Sequence, residues 1–212
     1  MLLGGHSGAR RGTKSAAAIC AVMTNKNDTG IAPRLLALDQ KIHDIAEPYA
    51  DRLAMRLLER IGKVGDQPPM LSLSTAVLAA GLLSERPRML FAGVRMIAAH
   101  LIATGAKNAA KRRIDRERPA PRTGKAPHPR SGKQDSKRMT GFPSGHTAGA
   151  VAVARAFGRA YPEHAGKAVG AAGLIALAQV AGRKHYLTDV LAGIAVGVAA
   201  EAAVARLVPV RR

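Results

Sequence analysis

Two histidines in this sequence stand beside groups that could make an imidazole reactive. His185 precedes Asp189 by four residues in the run His185-Tyr186-Leu187-Thr188-Asp189. On a helical or nearly helical path both side chains face one way. A carboxylate on one imidazole nitrogen then fixes the tautomer and leaves the other free to attack. His146 closes the run Pro143-Ser144-Gly145-His146, which reads as a helix start. Ser144 is a good N-cap, Gly145 lets an anion approach the backbone, and the free N–H groups of a first turn carry partial positive charge. An imidazole there sits beside the bound anion and can protonate a leaving oxygen. A third cluster, Lys111 followed by Arg118-Pro119, offers a point charge and a planar fork, a pair that suits a phosphate. Each cluster taken singly also has an ordinary reading. Asp189 can cap a helix through a surface ion pair, His146 can be an exposed residue after a simple cap, and Lys111 and Arg118 can be solvated members of a set of 33 basic residues.

The elements that must carry these groups are helical. Over residues 35–61, apolar side chains recur at helical spacing (Leu38, Ile42, Ile45, Tyr49, Leu53, Leu57, Ile61), with Asp39, Lys41, Asp44, Glu47, Asp51 and Arg52 on the other face. The pattern predicts an amphipathic helix, broken or kinked at Pro48, that lies in a membrane interface or covers a helical core. Five apolar segments follow, at about 70–83, 89–106, 144–161, 167–182 and 188–208. Between the second and third lies a basic loop, residues 107–142, with twelve Lys and Arg up to Arg138 and almost no large apolar side chains. The expected fold is therefore all-α: a bundle of about five apolar, membrane-spanning helices preceded by an amphipathic helix. Its topology brings the three clusters to one end. The first cluster follows the helix ending near Ala106, the second opens the helix after the loop, and two further crossings return the chain to the same end at Gly182 to Asp189.

Composition agrees with helix and narrows the partners. Apolar residues make up 47% of the 212 and are mostly Ala, Val and Leu, with no Trp, three Phe and three Tyr. A net charge of +19 calls for an anionic partner: nucleic acid, an anionic membrane surface or a phosphorylated substrate. Nucleic acid is disfavoured, because stacking aromatics are few and the basic residues bunch in one loop. The single cysteine, Cys20, cannot form an internal disulfide. Arg10, Arg11 and Lys14 precede a short apolar run that lacks a typical cleavage site, so residues 1–33 are expected to be a disordered tail, with Met23 an alternative start.

Taken in order, the clusters resemble the type 2 phosphatidic acid phosphatase family, which also takes in bacterial acid phosphatases and vanadium haloperoxidases. Its marks are K-x6-R-P, then P-S-G-H, then S-R-x5-H-x3-D. Lys111 to Pro119 and Pro143 to His146 match the first two in full. His185 and Asp189 match the end of the third, and Val190-Leu191-Ala192-Gly193 is also family-like. The family's Ser-Arg pair falls on Ala178-Gln179, so an arginine that normally binds phosphate is replaced by an uncharged donor. Arg183 or Lys184 would then be called on to supply the missing charge.

The resemblance implies a single phosphatase domain over residues 34–212, multi-pass in the cell membrane, acting on a lipid phosphate or an isoprenoid pyrophosphate. It implies no metal and no cofactor. His185 would be the nucleophile, Asp189 its orienting partner and His146 the acid and then the base. Lys111, Arg118, Ser144, Gly145, Gln179 and Arg183 would bind the phosphate. His43, His100, His128 and His164 have no such setting and read as structural or solvated. A vanadate-dependent haloperoxidase, a lipid-phosphate-binding member without turnover, and a basic nucleic-acid-binding protein are the alternatives.

Overall fold

The computed structural model describes residues 31–49, 52–119, 129–132, 136 and 138–208. Residues 1–30, which hold Cys20 and all but three positions of the expected tail, lie outside the described residues, as do His128 and the middle of the basic loop. Helix α1 (Ile31–Ala46) begins inside the expected tail. A short 3-10 turn at Glu47–Tyr49 carries Pro48, where the sequence predicts the break, and α2 (Leu53–Val64) continues beyond it. Then come α3 (Gln67–Leu83), α4 (Pro87–Lys111), α5 (Gly145–Ala160), α6 (Ala165–Ala181) and α7 (Leu187–Leu207). Prolines open α3 and α4 within their first turn, where a missing N–H costs nothing. Between α4 and α5 two residues on each side pair antiparallel, β1 (Ile114–Asp115) with β2 (Arg130–Ser131), which folds the basic loop back on itself.

Helix α5 is the centre of the bundle. It packs against α4, α6 and α7, while α3 lies against α4 and α2 against α6. Its inward positions are almost all Ala, Gly or Thr, so neighbouring backbones come close. A Cβ at Gly193 of α7 would fall 2.6 Å from the Ser144 carbonyl, and one at Gly197 would fall 2.6 Å from that of Ala148. The core is correspondingly small-residue: Ala99, Ala103, Ala150, Ala152, Ala156 and Ala200, filled in by Met70, Met96, Val153, Ile175 and Val204.

The five apolar helices stand within a few residues of their predicted positions, but α4 runs on to Lys111 rather than ending at Ala106. Among the described residues, two helices are long and apolar enough to cross a membrane, Pro87–Lys111 and Leu187–Leu207. The face of the N-terminal helices is the surprise. The apolar stripe Leu38, Ile45, Tyr49, Leu53, Leu57 and Ile61 is exposed, whereas Asp39 and His43 of the polar face are buried against the bundle. The stripe does not cover the helical core; α1 meets the bundle through Asp39 and His43, while Lys41 and Asp44 stay exposed.

Candidate active site

The three motif clusters converge at one end of the bundle, as the topology requires. A cavity of about 270 Å³ there is lined by Lys107, Lys111, Arg118, Gly145, His146 and His185, with His100 and the turn from Gly65 to Pro68 completing it. Helix α4 carries His100, Lys107 and Lys111 on one face at spacings of seven and four residues. The loop supplies Arg118, the start of α5 supplies Gly145 and His146, and the turn between α6 and α7 supplies His185.

That last turn is shaped by the end of α6. The N–H of Lys184 donates to the Gln179 carbonyl and that of Arg183 to the Val180 carbonyl, the paired bonds of a Schellman motif. Arg183 is the left-handed residue such an ending needs, with φ 52°. His185 N–H also donates to the Gln179 carbonyl, which sets His185 at the cavity. Gln179 thus organises the turn that carries His185 through its backbone. Its side chain is buried away from the cavity lining, where Nε2 donates to the Gly62 carbonyl at 3.4 Å. The Arg183 guanidinium lies 3.8 Å from Glu47 and the Lys184 ammonium 3.6 Å from Glu59, and neither residue lines the cavity.

His185 is fully buried, and its Nδ1 lies 3.7 Å from Asp189 Oδ2, an ion-pair contact longer than a hydrogen bond. Burial pushes the imidazole below its ordinary range. Asp189 opposes this, and the cations Arg118 and Lys111 add to it. Asp189 itself is held by other groups. Its Oδ1 accepts from Arg116 Nη1 at 2.6 Å, and its Oδ2 accepts from the Tyr186 N–H at 2.9 Å. The same guanidinium donates through Nη2 to Asp39 Oδ2 at 2.7 Å and lies 4.5 Å over the Tyr186 ring. Asp39 also accepts from the Thr188 N–H at 2.9 Å and from its hydroxyl at 2.5 Å. Every member is buried, and the network is a hydrogen-bonded unit that fixes the start of α7. Burial by itself would lower the Arg116 pKa, but the carboxylates of Asp189 and Asp39 outweigh it and raise it.

Sequence reasoning missed Arg116 and Asp39. Arg116 is one of the unspecified positions between Lys111 and Arg118, and Asp39 was assigned to a solvated helix face. The available signal was Asp39 with His43 at i, i+4, a polar pair that the structure turns inward together. His100 also departs from expectation: although buried, it lines the cavity rather than lying apart from it.

At the other wall, His146 Nε2 lies 2.6 Å from Asp66 Oδ1. The turn bearing Asp66 can approach this closely because Gly65 has no side chain; a Cβ there would sit 2.6 Å from Ile175 and 3.2 Å from His146. The His146 and His185 ring centres are 6.5 Å apart across the cavity. The Ser144 N–H is already donated to the Asp189 carbonyl at 3.0 Å, and its hydroxyl is 3.0 Å from that of Thr147. The amides open to an anion are therefore those of Gly145 and His146, at the start of α5.

Several cations elsewhere in the fold meet carboxylates: Arg88 with Glu163, Arg138 with Glu117, and Arg95, Arg155 and Arg159 with Glu201. Lys107, Lys111 and Arg118 have no carboxylate at ion-pair distance among the described residues, and all three line one cavity. Burial lowers the Arg118 pKa against the opposing pull of Asp189. Unpaired cations around a half-closed space, with a helix N-terminus and two imidazoles, make a site for a tetrahedral oxyanion.

Known proteins carry the same frame. LpxE of Aquifex aeolicus superposes with a TM-score of 0.60 at 17% identity, covering 80% of this chain and 95% of that one. A transmembrane PAP2-type phosphatidylglycerolphosphate phosphatase from Bacillus subtilis gives 0.60 at 17% identity, covering 92% of each. No curated protein matches the sequence. Residues 92–212, more than half the chain and a stretch that holds all three motif clusters, match the PAP2 superfamily; to that superfamily the chain belongs.

Proposed function

We propose that the protein is a metal-independent phosphatase that hydrolyses a lipid phosphate or an isoprenoid pyrophosphate through a phosphohistidine at His185. The observation that carries this reading is the set of three unpaired cations, Lys107, Lys111 and Arg118, in one cavity with His146 and His185. In the proposed reaction Lys111, Arg118 and the open amides of α5 hold the phosphoryl oxygens and stabilise their charge in the transition state. The neutral imidazole of His185 attacks phosphorus in line, forming a P–N bond as the P–O bond to the leaving group breaks. His146 gives that oxygen a proton. It then takes one from the water that cleaves the P–N bond. Asp189, clamped by Arg116, keeps His185 in orientation. Fixed side-chain cations supply the electrostatics that a bound metal would otherwise provide.

The membrane is the proposed setting. Helices α4 and α7 are long enough to span it, with the shorter α3, α5 and α6 beside them, and the neighbouring Bacillus subtilis structure is that of a transmembrane enzyme. The exposed stripe of α1 and α2 suits a lipid interface. A lipid-phosphate-binding member without turnover is the second reading. It is favoured by one observation, that Gln179 neither carries charge nor reaches the cavity.

The test is phosphate release from a panel of lipid phosphates and isoprenoid pyrophosphates with EDTA present, for the purified protein and for His185→Ala. Release that survives EDTA and vanishes in the variant is expected. Binding of substrate with no release from any member of the panel would replace this reading with the binding-only one.

A further inference from the structure

The cavity has two chemically different walls. His185, Lys111 and Arg118 stand together beside Asp189. His146 and Asp66 form a second group, and Lys107, one turn before Lys111 on the same face of α4, is the lysine nearer to it. Its side chain lies over the first residue of α5, where a Cβ on Gly145 would meet Lys107 Cδ at 2.9 Å and Nζ at 3.0 Å, and Asp66 is the carboxylate that acts on it. Lys107 has no ion pair among the described residues. The bare Gly145 leaves room for the end of this lysine over the start of α5. Two cations on the nucleophile's wall already suit the transferred phosphoryl group. A third, displaced one turn along α4 toward His146 and Asp66, faces the atoms that depart.

We propose that Lys107 is a specificity-determining residue that binds the leaving group, and that it selects substrates whose leaving group is itself a phosphate, phosphoanhydrides over simple phosphate monoesters. This deepens the phosphatase reading and rests on it. When His185 attacks the terminal phosphorus, the bridging oxygen leaves with the bond's electron pair as part of the inner phosphate. The Lys107 ammonium neutralises the charge that develops there, and a proton from His146 completes the leaving group. Water then cleaves the P–N bond and releases the terminal group as inorganic phosphate. An alkoxide leaving group, protonated by His146, carries no lasting charge and draws much less from Lys107. The same ammonium restores the third positive charge that Gln179 removes from the family's phosphate site, by a route open to neither Arg183 nor Lys184, which reach toward Glu47 and Glu59.

The experiment compares a prenyl diphosphate with the prenyl monophosphate of equal chain length, using the full-length protein in detergent. Variants are Lys107→Met, Lys107→Arg and, as a control for net charge far from the cavity, Lys167→Met. Lys107→Met should lower kcat/KM for the diphosphate about tenfold more than for the monophosphate, the scale of one charge-assisted contact. Lys107→Arg should keep most of the preference, and Lys167→Met all of it. Equal losses on both substrates in Lys107→Met would overturn the assignment while leaving the phosphatase reading intact. Calorimetric titration with inorganic pyrophosphate and with inorganic phosphate separates the two ideas. If the unmodified protein turns over neither lipid but loses its preference for pyrophosphate in Lys107→Met, the subsite stands and the enzyme reading falls. Unchanged pyrophosphate binding in that variant, with no turnover, sinks both.

Discussion

Two charge clusters sit at opposite ends of the bundle and are built on opposite plans. At the far end one buried carboxylate, Glu201 of α7, gathers Arg95 of α4 at 3.3 Å and Arg159 and Arg155 of α5 at 2.6 and 3.4 Å. There the cations meet the carboxylate. At the cavity end one buried arginine, Arg116, gathers two carboxylates, Asp39 and Asp189, and Lys107, Lys111 and Arg118 line a cavity with no carboxylate at ion-pair distance among the described residues. Counting buried charges would not tell these ends apart. The difference lies in where the carboxylates sit: Glu201, shared by three arginines, ties three helices together, whereas the cavity cations Lys107, Lys111 and Arg118 have no carboxylate at ion-pair distance among the described residues and leave their charge for a ligand.

The contrast is broken most severely at Arg116. Arg116→Ala leaves two buried carboxylates unpaired and should cost about 3–5 kcal/mol of stability. Release of Asp189 should also lower kcat by about 10²-fold in whatever fraction remains folded. Thermal unfolding together with the rate per folded molecule measures both, and a full rate per folded molecule would deny Arg116 its positioning role. Next in size is Glu201→Ala. Removal of the far-end carboxylate should destabilise by about 3 kcal/mol, part of the effect being screened because Arg155 and Arg159 are partly exposed. Its kcat/KM should stay that of the parent, and a matching loss of rate would mean that the two ends are coupled. The smallest effect is on pH. His185 must be neutral to attack, and burial has moved it down, so the acid limb of kcat/KM should fall below the ordinary histidine value of about 6.5. An acid limb at or above that value would place the titrating nucleophile in a wetter, more anionic setting than the one seen.

The legible parts of the molecule were those written locally. His185 with Asp189, His146 after its cap, and Lys111 ahead of Arg118 are short-range patterns, and helical periodicity fixed which end they share. Arg116 with Asp39 escaped because the partners are 77 residues apart and neither is unusual in its own neighbourhood. An aspartate on a charged helix face looks solvated until the fold places an arginine against it. Lys107 was hidden by a boundary. A helix read as ending at Ala106 puts Lys107 in the basic loop, whereas a helix that persists to Lys111 puts both lysines on one face. The setting of α1 stayed open for a related reason: periodicity locates an apolar stripe but does not say whether protein or another medium covers it.

The tight meeting of α5 and α7 bears on how this chain can change over time. Gly193 and Gly197 lie so near the α5 backbone that any side chain there would drive the helices apart, and with them Ser144 and Asp189, whose backbone groups are bonded across the same seam. The outward faces, where Leu174, Leu177 and Leu191 are exposed, carry no such restriction. Mutational tolerance should therefore run against intuition in this fold: large apolar residues on the outside can be exchanged freely, while the residues with least side chain are those that lineages keep.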